Sequence, residues 1–190
     1  MRRLSIGTVC ILGLLSPLAL AAAQEMDVPV AVQIPVLLKV LSFDRQLHAR
    51  AGGEIVVGVA YQSGNRASSV AHEDAVRLFS AAHDVNGVPM RVVTIDLDHD
   101  DLDASLKQQP LTALYIAPLR ATDVGHLAEV ARDAGATTMT GVLRYVELGL
   151  AIGIGQQGGR PKIFMNLESC RGEGADFPAE LLKLAQIVRP

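Results

Sequence analysis

Short apolar runs alternate with longer segments of helical spacing, and this alternation limits what the chain can fold into more than any other feature. Glu54 to Tyr61 (EIVVGVAY) and Thr112 to Ala117 (TALYIA) are apolar almost throughout, and Met90 to Asp96 (MRVVTID) and Ala136 to Thr140 are short and β-rich. A strand with one wet face alternates apolar and polar residues, whereas a strand covered on both faces does not. Ser68 to His83 and Thr122 to Ala134 carry helical spacing between these runs, and Asp101 to Gln108 is a short helix stopped by Pro110. Strand, helix and strand in succession predict a parallel sheet with helices on both faces and right-handed crossovers. Leu143 to Glu147, a short turn or helix, leads to Leu150 to Gly155; Gly158-Gly159 turns the chain and Lys162 to Asn166 pairs back. That tight turn predicts an antiparallel hairpin at the sheet margin. Pro178 to Val188 has the spacing of a closing helix. The expectation is one three-layer α/β/α domain over residues 24–190, mainly parallel, with a C-terminal antiparallel hairpin and a closing helix. A length of 190 residues, 49% hydrophobic and 19% charged, suits one such domain.

Met1 to Ala23 stands apart from this pattern. Arg2 and Arg3 precede an apolar stretch from Ile6 to Leu20, and Ala21-Ala22-Ala23 offers the small residues that a signal peptidase reads. The run is short for a membrane anchor and no charged stop follows it. The expectation is a cleaved signal peptide over 1–23 and a periplasmic protein that does not span the membrane. Cleavage takes Cys10 with it and leaves Cys170 as the lone thiol, a small buried hydrophobe by expectation. It also removes two arginines from a chain whose net charge is already −3. An acidic chain with 4% aromatics and no Trp has neither the charge nor the stacking faces for nucleic acid.

Several motifs look chemical and fail on context. Gly153-Ile154-Gly155-Gln156-Gln157-Gly158 spells a dinucleotide fingerprint, but a strand follows where a helix is needed. Asp96 to Asp103 resembles a calcium loop, yet Asp101 occupies the glycine position and Lys107 the bidentate glutamate position. Those acids suit a helix N-cap and first turn instead. The five histidines lack metal-ligand spacing, and there is no Gly-x-Ser-x-Gly elbow. The sequence therefore carries no sign of a metal site, a cofactor or an active site, and predicts a non-enzymatic protein.

Two segments invite a binding role. The loop from Tyr61 to Ser69 follows the first strand and enters a helix, at the carboxyl edge where ligands sit in doubly wound sheets. Ser63, Asn65, Arg66 and Ser68 could hold a small anion there, with Arg120 and Thr122 on the same edge after the third strand. Capping and solvated side chains are the plain alternative. The second segment is the apolar helix expected near 28–47, whose Val30, Val32, Ile34, Val36, Leu37, Leu38, Val40 and Leu41 encircle its axis. A surface helix needs only one apolar stripe. Val30, Ile34, Leu37, Leu38 and Leu41 are therefore candidates for a homodimer seam or a partner's docking face, unless the helix is sunk in the core.

The end of the chain carries a resemblance. Gly149 to Ile154, Arg160 to Leu167 (RPKIFMNL) and Leu181 to Val188 (LLKLAQIV) resemble the YfiR/HmsC family of exported proteins, and Ala136 to Gly141 fits that family's preceding strand. Gly52 to Tyr61 and Ala113 to Pro118 fit its earlier strands more loosely. The resemblance implies a periplasmic, non-enzymatic α/β protein that restrains an inner-membrane diguanylate cyclase through its periplasmic domain, lowering cyclic-di-GMP and biofilm formation. The chain lacks the family's N-terminal aromatic and Trp-Pro character and its paired cysteines. The different-class alternative is a small-anion or small-molecule binding protein resembling half of a substrate-binding protein.

Overall fold

The computed structural model describes residues 26–189, so the expected signal peptide and Cys10 lie outside the described residues. The helices are α1 (Val30–Leu41), α2 (Leu47–Ala51), α3 (Arg66–Ala81), α4 (Leu102–Gln108), α5 (Val124–Asp133), α6 (Leu143–Glu147), α7 (Leu167–Gly172) and α8 (Ala179–Leu184). The strands are β1 (Ile55–Tyr61), β2 (Asp84–Val85), β3 (Val88–Asp96), β4 (Ala113–Ile116), β5 (Thr137–Thr140), β6 (Ile152–Gln157), β7 (Arg160–Asn166) and β8 (Gln186–Val188). They form one sheet in the order β2-β3-β1-β4-β5-β6-β7-β8. From β3 to β6 neighbours run parallel; β2 and β7 are antiparallel to β3 and β6, and β8 runs parallel to β7. The expected single mixed α/β domain is what forms.

The period of two along the strands divides the core. Ile55, Val57 and Val59 of β1, with Tyr115 and Met139, face a layer that includes α1, α3, Cys170 and Leu181. Val56, Ala60, Leu114 and Ile116 face Leu102 and Leu106 of α4, Leu127 and Ala131 of α5 and Tyr145 of α6. The Gly158-Gly159 turn has φ values of 58° and 75°, which let two residues reverse the chain between β6 and β7. The dinucleotide-like glycines thus belong to a hairpin.

Two expectations need correction. The first concerns α1, which ends at Leu41 rather than near residue 47; the chain then turns into the separate α2, which stops at a left-handed Gly52. Its Val30, Ile34, Leu37 and Leu41 do not form an exterior seam. They are 5% or less exposed and packed in the core, with Leu38 half-buried against it. Gln33 lies on the same buried stripe. It donates to the Val28 carbonyl and accepts from the Tyr115 hydroxyl at 2.9 Å. A Cβ at position 141 would overlap the Gln33 carboxamide, so Gly141 lets α1 sit against the end of β5. The second correction concerns the closing helix, which stops at Leu184. Ala185 is extended, and β8 adds to the open side of β7, so the hairpin is not the sheet margin.

The amino ends of the strands are tied by one buried ion pair. Arg50 Nη2 lies 2.6 Å from Asp44 Oδ2 and 2.8 Å from Thr137 Oγ1. Its Nη1 donates to the carbonyls of Gly135 at 2.9 Å and Thr112 at 3.2 Å. Asp44 Oδ1 accepts from the N–H groups of Gln46 and Asp176. Close by, the fully buried Glu173 bonds the Thr138 N–H at 2.9 Å and the Thr138 hydroxyl at 2.6 Å. Burial pushes the Glu173 carboxyl up to about 8, against the opposing pull of its Thr138 bonds and the charges of Arg132 and Arg50.

Two outcomes follow. Leu37→Ala should cost about 2–5 kcal/mol in urea unfolding, whereas Val32→Ala, at a position 40% exposed, should cost far less. Glu173 binds its proton more tightly folded than unfolded, so folded protein holds more protons between pH 4.5 and about 8. Stability should therefore fall as pH rises through that window, and Glu173→Gln, which keeps the neutral hydrogen-bonding pattern, should flatten the slope.

Candidate functional site

The chain leaves β1 through residues 62–65 into α3, which packs on one face of the sheet, and leaves β4 through 117–123 into α5 on the other. β1 and β4 are neighbours, so their carboxyl ends form a topological switch point, where open α/β sheets place ligands.

Here the crevice is stitched shut by amide side chains. Gln62 Nε2 donates to the Arg120 carbonyl at 3.2 Å and to Thr122 Oγ1 at 3.3 Å, and Gln62 Oε1 accepts from the Arg120 N–H at 2.7 Å. Asn65 Nδ2 donates to the Pro118 carbonyl at 3.2 Å while its Oδ1 caps α3 at the Ala67 N–H. The fully buried Ser68 accepts the Gln62 N–H at 3.0 Å. Of the residues expected to hold an anion, Asn65, Ser68 and Thr122 are thus committed to building the loop.

The loop's N–H groups are equally occupied. The Ser63 N–H donates to Asp96 Oδ1 at 3.1 Å and the Gly64 N–H to Asp98 Oδ2 at 2.7 Å. These carboxylates stand where the expected anion would sit. Burial pulls the Asp96 carboxyl upward, but hydrogen bonds from Ser63, His99 and the Asp98 N–H outweigh it and hold it below the usual carboxylate range. The bond to Asp96 raises the exposed His99 in turn. Tyr61 and His72 stack at 3.8 Å beside this cluster, and burial lowers His72. Asp101 caps α4, as expected of the acidic run. The partnership of Asp96 and Asp98 with a loop more than thirty residues away was not visible in local sequence.

Arg66 and Arg120 have a different setting. Together with Met26, Pro29, Val30, Ala67, Val70 and Asp74 they line a groove of about 590 Å³ between the starts of α1 and α3. Its walls are mainly apolar; Val70 is 52% exposed there. Arg66, Arg120 and Asp74, whose carboxylate pairs with Arg77 at 2.7 Å, are its charged residues. Sequence reasoning placed the two arginines on one edge but had no signal for the apolar wall, which α1 supplies from far along the chain.

No family model and no curated protein matches the chain. Among solved structures it is similar to an ABC domain in complex with L-Trp from Streptococcus pneumonia, at 12% identity and a TM-score of 0.60, over 85% of this chain and 62% of that one. It is also similar to the ligand-free, open structure of a substrate-binding protein with adhesive properties from Clostridium difficile. That match has 16% identity and a TM-score of 0.51, over 76% of this chain and 57% of the other. The chain spans about three fifths of the length of each. These likenesses are likenesses of fold: a mixed α/β domain shared with both structures. Among the described residues no helix is long and apolar enough to cross a membrane.

Asn65→Ala removes both the α3 cap and the tie to Pro118, and should cost about 1–2 kcal/mol in urea unfolding. Asn65→Asp, which retains the capping oxygen, should recover part of that loss.

Proposed function

We propose that the protein binds a small molecule with an apolar body and an anionic head in the groove between α1 and α3. The observation that carries this reading is the convergence of Arg66 and Arg120 on one mainly apolar groove at the carboxyl edge of the sheet. Apolar walls with a few placed polar groups are the usual make-up of a small-molecule site. Guanidinium groups suit carboxylate heads because their N–H fork matches the two oxygens. The likeness in fold to a domain that holds L-Trp and to a substrate-binding protein supports the same reading. The groove would act in the compartment to which the N-terminal segment is addressed, the periplasm.

The resemblance to the YfiR/HmsC proteins adds a finer proposal, that the protein restrains an inner-membrane diguanylate cyclase under control of this ligand. Cyclic-di-GMP measured in cells carrying wild-type or Arg120→Ala protein is its readout; the variant should lose any ligand-dependent change.

Calorimetry with phenylacetate, hexanoate, L-leucine and L-tryptophan tests the groove. At least one should bind, and Arg120→Ala should weaken it by about tenfold to a hundredfold, the worth of a charge-assisted hydrogen bond. The melting temperature of the unliganded protein should change little, because an exposed charge contributes little to stability. Silence from every carboxylate in the panel sinks the reading.

A further inference from the structure

The turn that carries Arg120 is held in a strained shape by a residue outside the groove. Ala121 has φ 49°, in the left-handed region, where a Cβ crowds the backbone at a cost of about 1 kcal/mol. Such a conformation persists only where its surroundings over-determine it. The surroundings here are one carboxamide. Gln62 takes the Arg120 N–H on its oxygen at 2.7 Å and offers its Nε2 to the Arg120 carbonyl and to Thr122 Oγ1, and Thr122 Oγ1 also bonds that carbonyl at 3.0 Å. Both polar backbone groups of Arg120, immediately before the strained residue, and the Thr122 hydroxyl immediately after it are thereby fixed. Gln62 is itself anchored: its N–H donates to the buried Ser68, and its carbonyl accepts the Asn65 N–H at 3.1 Å. Gln62 and Thr122 do not line the groove, whereas Arg120 does.

We infer that Gln62 is a positioning residue that fixes the Arg120 backbone so that its guanidinium meets the anionic head of a ligand in the groove, an inference that rests on the binding role proposed above. Holding the backbone before the ligand arrives removes an ordering cost from binding. The consequence is selectivity. Loosening the clamp should weaken a charged ligand and leave its uncharged analogue alone.

The experiment uses calorimetry on the full chain with phenylacetate and phenylacetamide, for wild type, Gln62→Met, Arg120→Ala and the double variant. Gln62→Met keeps side-chain length and removes all three bonds. It should weaken phenylacetate by about fivefold to tenfold, the range of one or more lost hydrogen bonds. Phenylacetamide binding should stay unchanged, and Gln62→Met should cost nothing further in the Arg120→Ala background. If Gln62→Met fails to fold, Thr122→Val removes two bonds of the clamp conservatively and should weaken phenylacetate alone by about twofold to threefold. Equal loss for both probes, or an unchanged preference for phenylacetate, overturns the role of Gln62 and leaves the groove reading standing. Wild-type protein that binds neither probe, or shows no preference between them, overturns this inference, and the groove reading falls with it only if hexanoate, L-leucine and L-tryptophan are silent too.

Discussion

The Arg50–Asp44 pair is the interaction on which the arrangement of the strands rests. One guanidinium collects a carboxylate, the Thr137 hydroxyl and the carbonyls at the starts of β4 and β5, and that carboxylate in turn holds two N–H groups from separate loops. With the Asp44 side chain fully buried and that of Arg50 only 15% exposed, these groups have little water to fall back on. A partner removed from such a network leaves a desolvated charge behind, which is far more costly than losing an exposed pair. The amino edge is therefore fixed by charge in a dry setting. The carboxyl edge is fixed by neutral amides and by carboxylates nearer to solvent, where each bond is weaker. The sheet is held hard at one end and more lightly at the end that carries the groove.

The local signals in the sequence were enough for the central strands and, to within about two residues, for α3 to α6. Continuous apolar runs placed β1 and β4, paired glycines placed the β6–β7 turn, and Asn65, Asp101 and Asp123 each cap the helix that follows. What was hidden depended on distant partners. Ile187 and Val188 continue the apolar spacing of α8, and only the open edge of β7 turns them into a strand. The first helix is apolar around much of its circumference because one face is core and Val36 and Leu38 are half-buried at its flanks, and Gln33 on the buried stripe finds partners in Val28 and Tyr115. A sequence cannot show that a buried glutamine is satisfied, so the buried stripe looked like surplus.

The candidate site was half legible for the same reason. Position on the sheet edge identified the loop and both arginines, since the switch point follows from the order of strands and helices. The division of labour did not follow. Small polar residues that could cradle an anion instead serve the loop, whose N–H groups belong to Asp96 and Asp98. Closing the crevice this way moves the open space sideways, off the sheet and onto the line where α1 meets α3. The groove is thus assembled from three segments far apart in sequence: the start of α1, the start of α3 and the turn at Arg120.

Strand β1 acquires its two neighbours at different stages of synthesis. A chain made from its amino end completes β3 at Asp96, whereas the partner on the other side begins only at Ala113. In the interval, Ile55 to Tyr61 presents an uncharged, β-rich run with one unpaired edge, the kind of template that recruits other chains. Once β4 is in place the sheet grows by sequential neighbours from β5 to β8, each laid beside its predecessor. The arrival of four residues, Ala113 to Ile116, closes that edge.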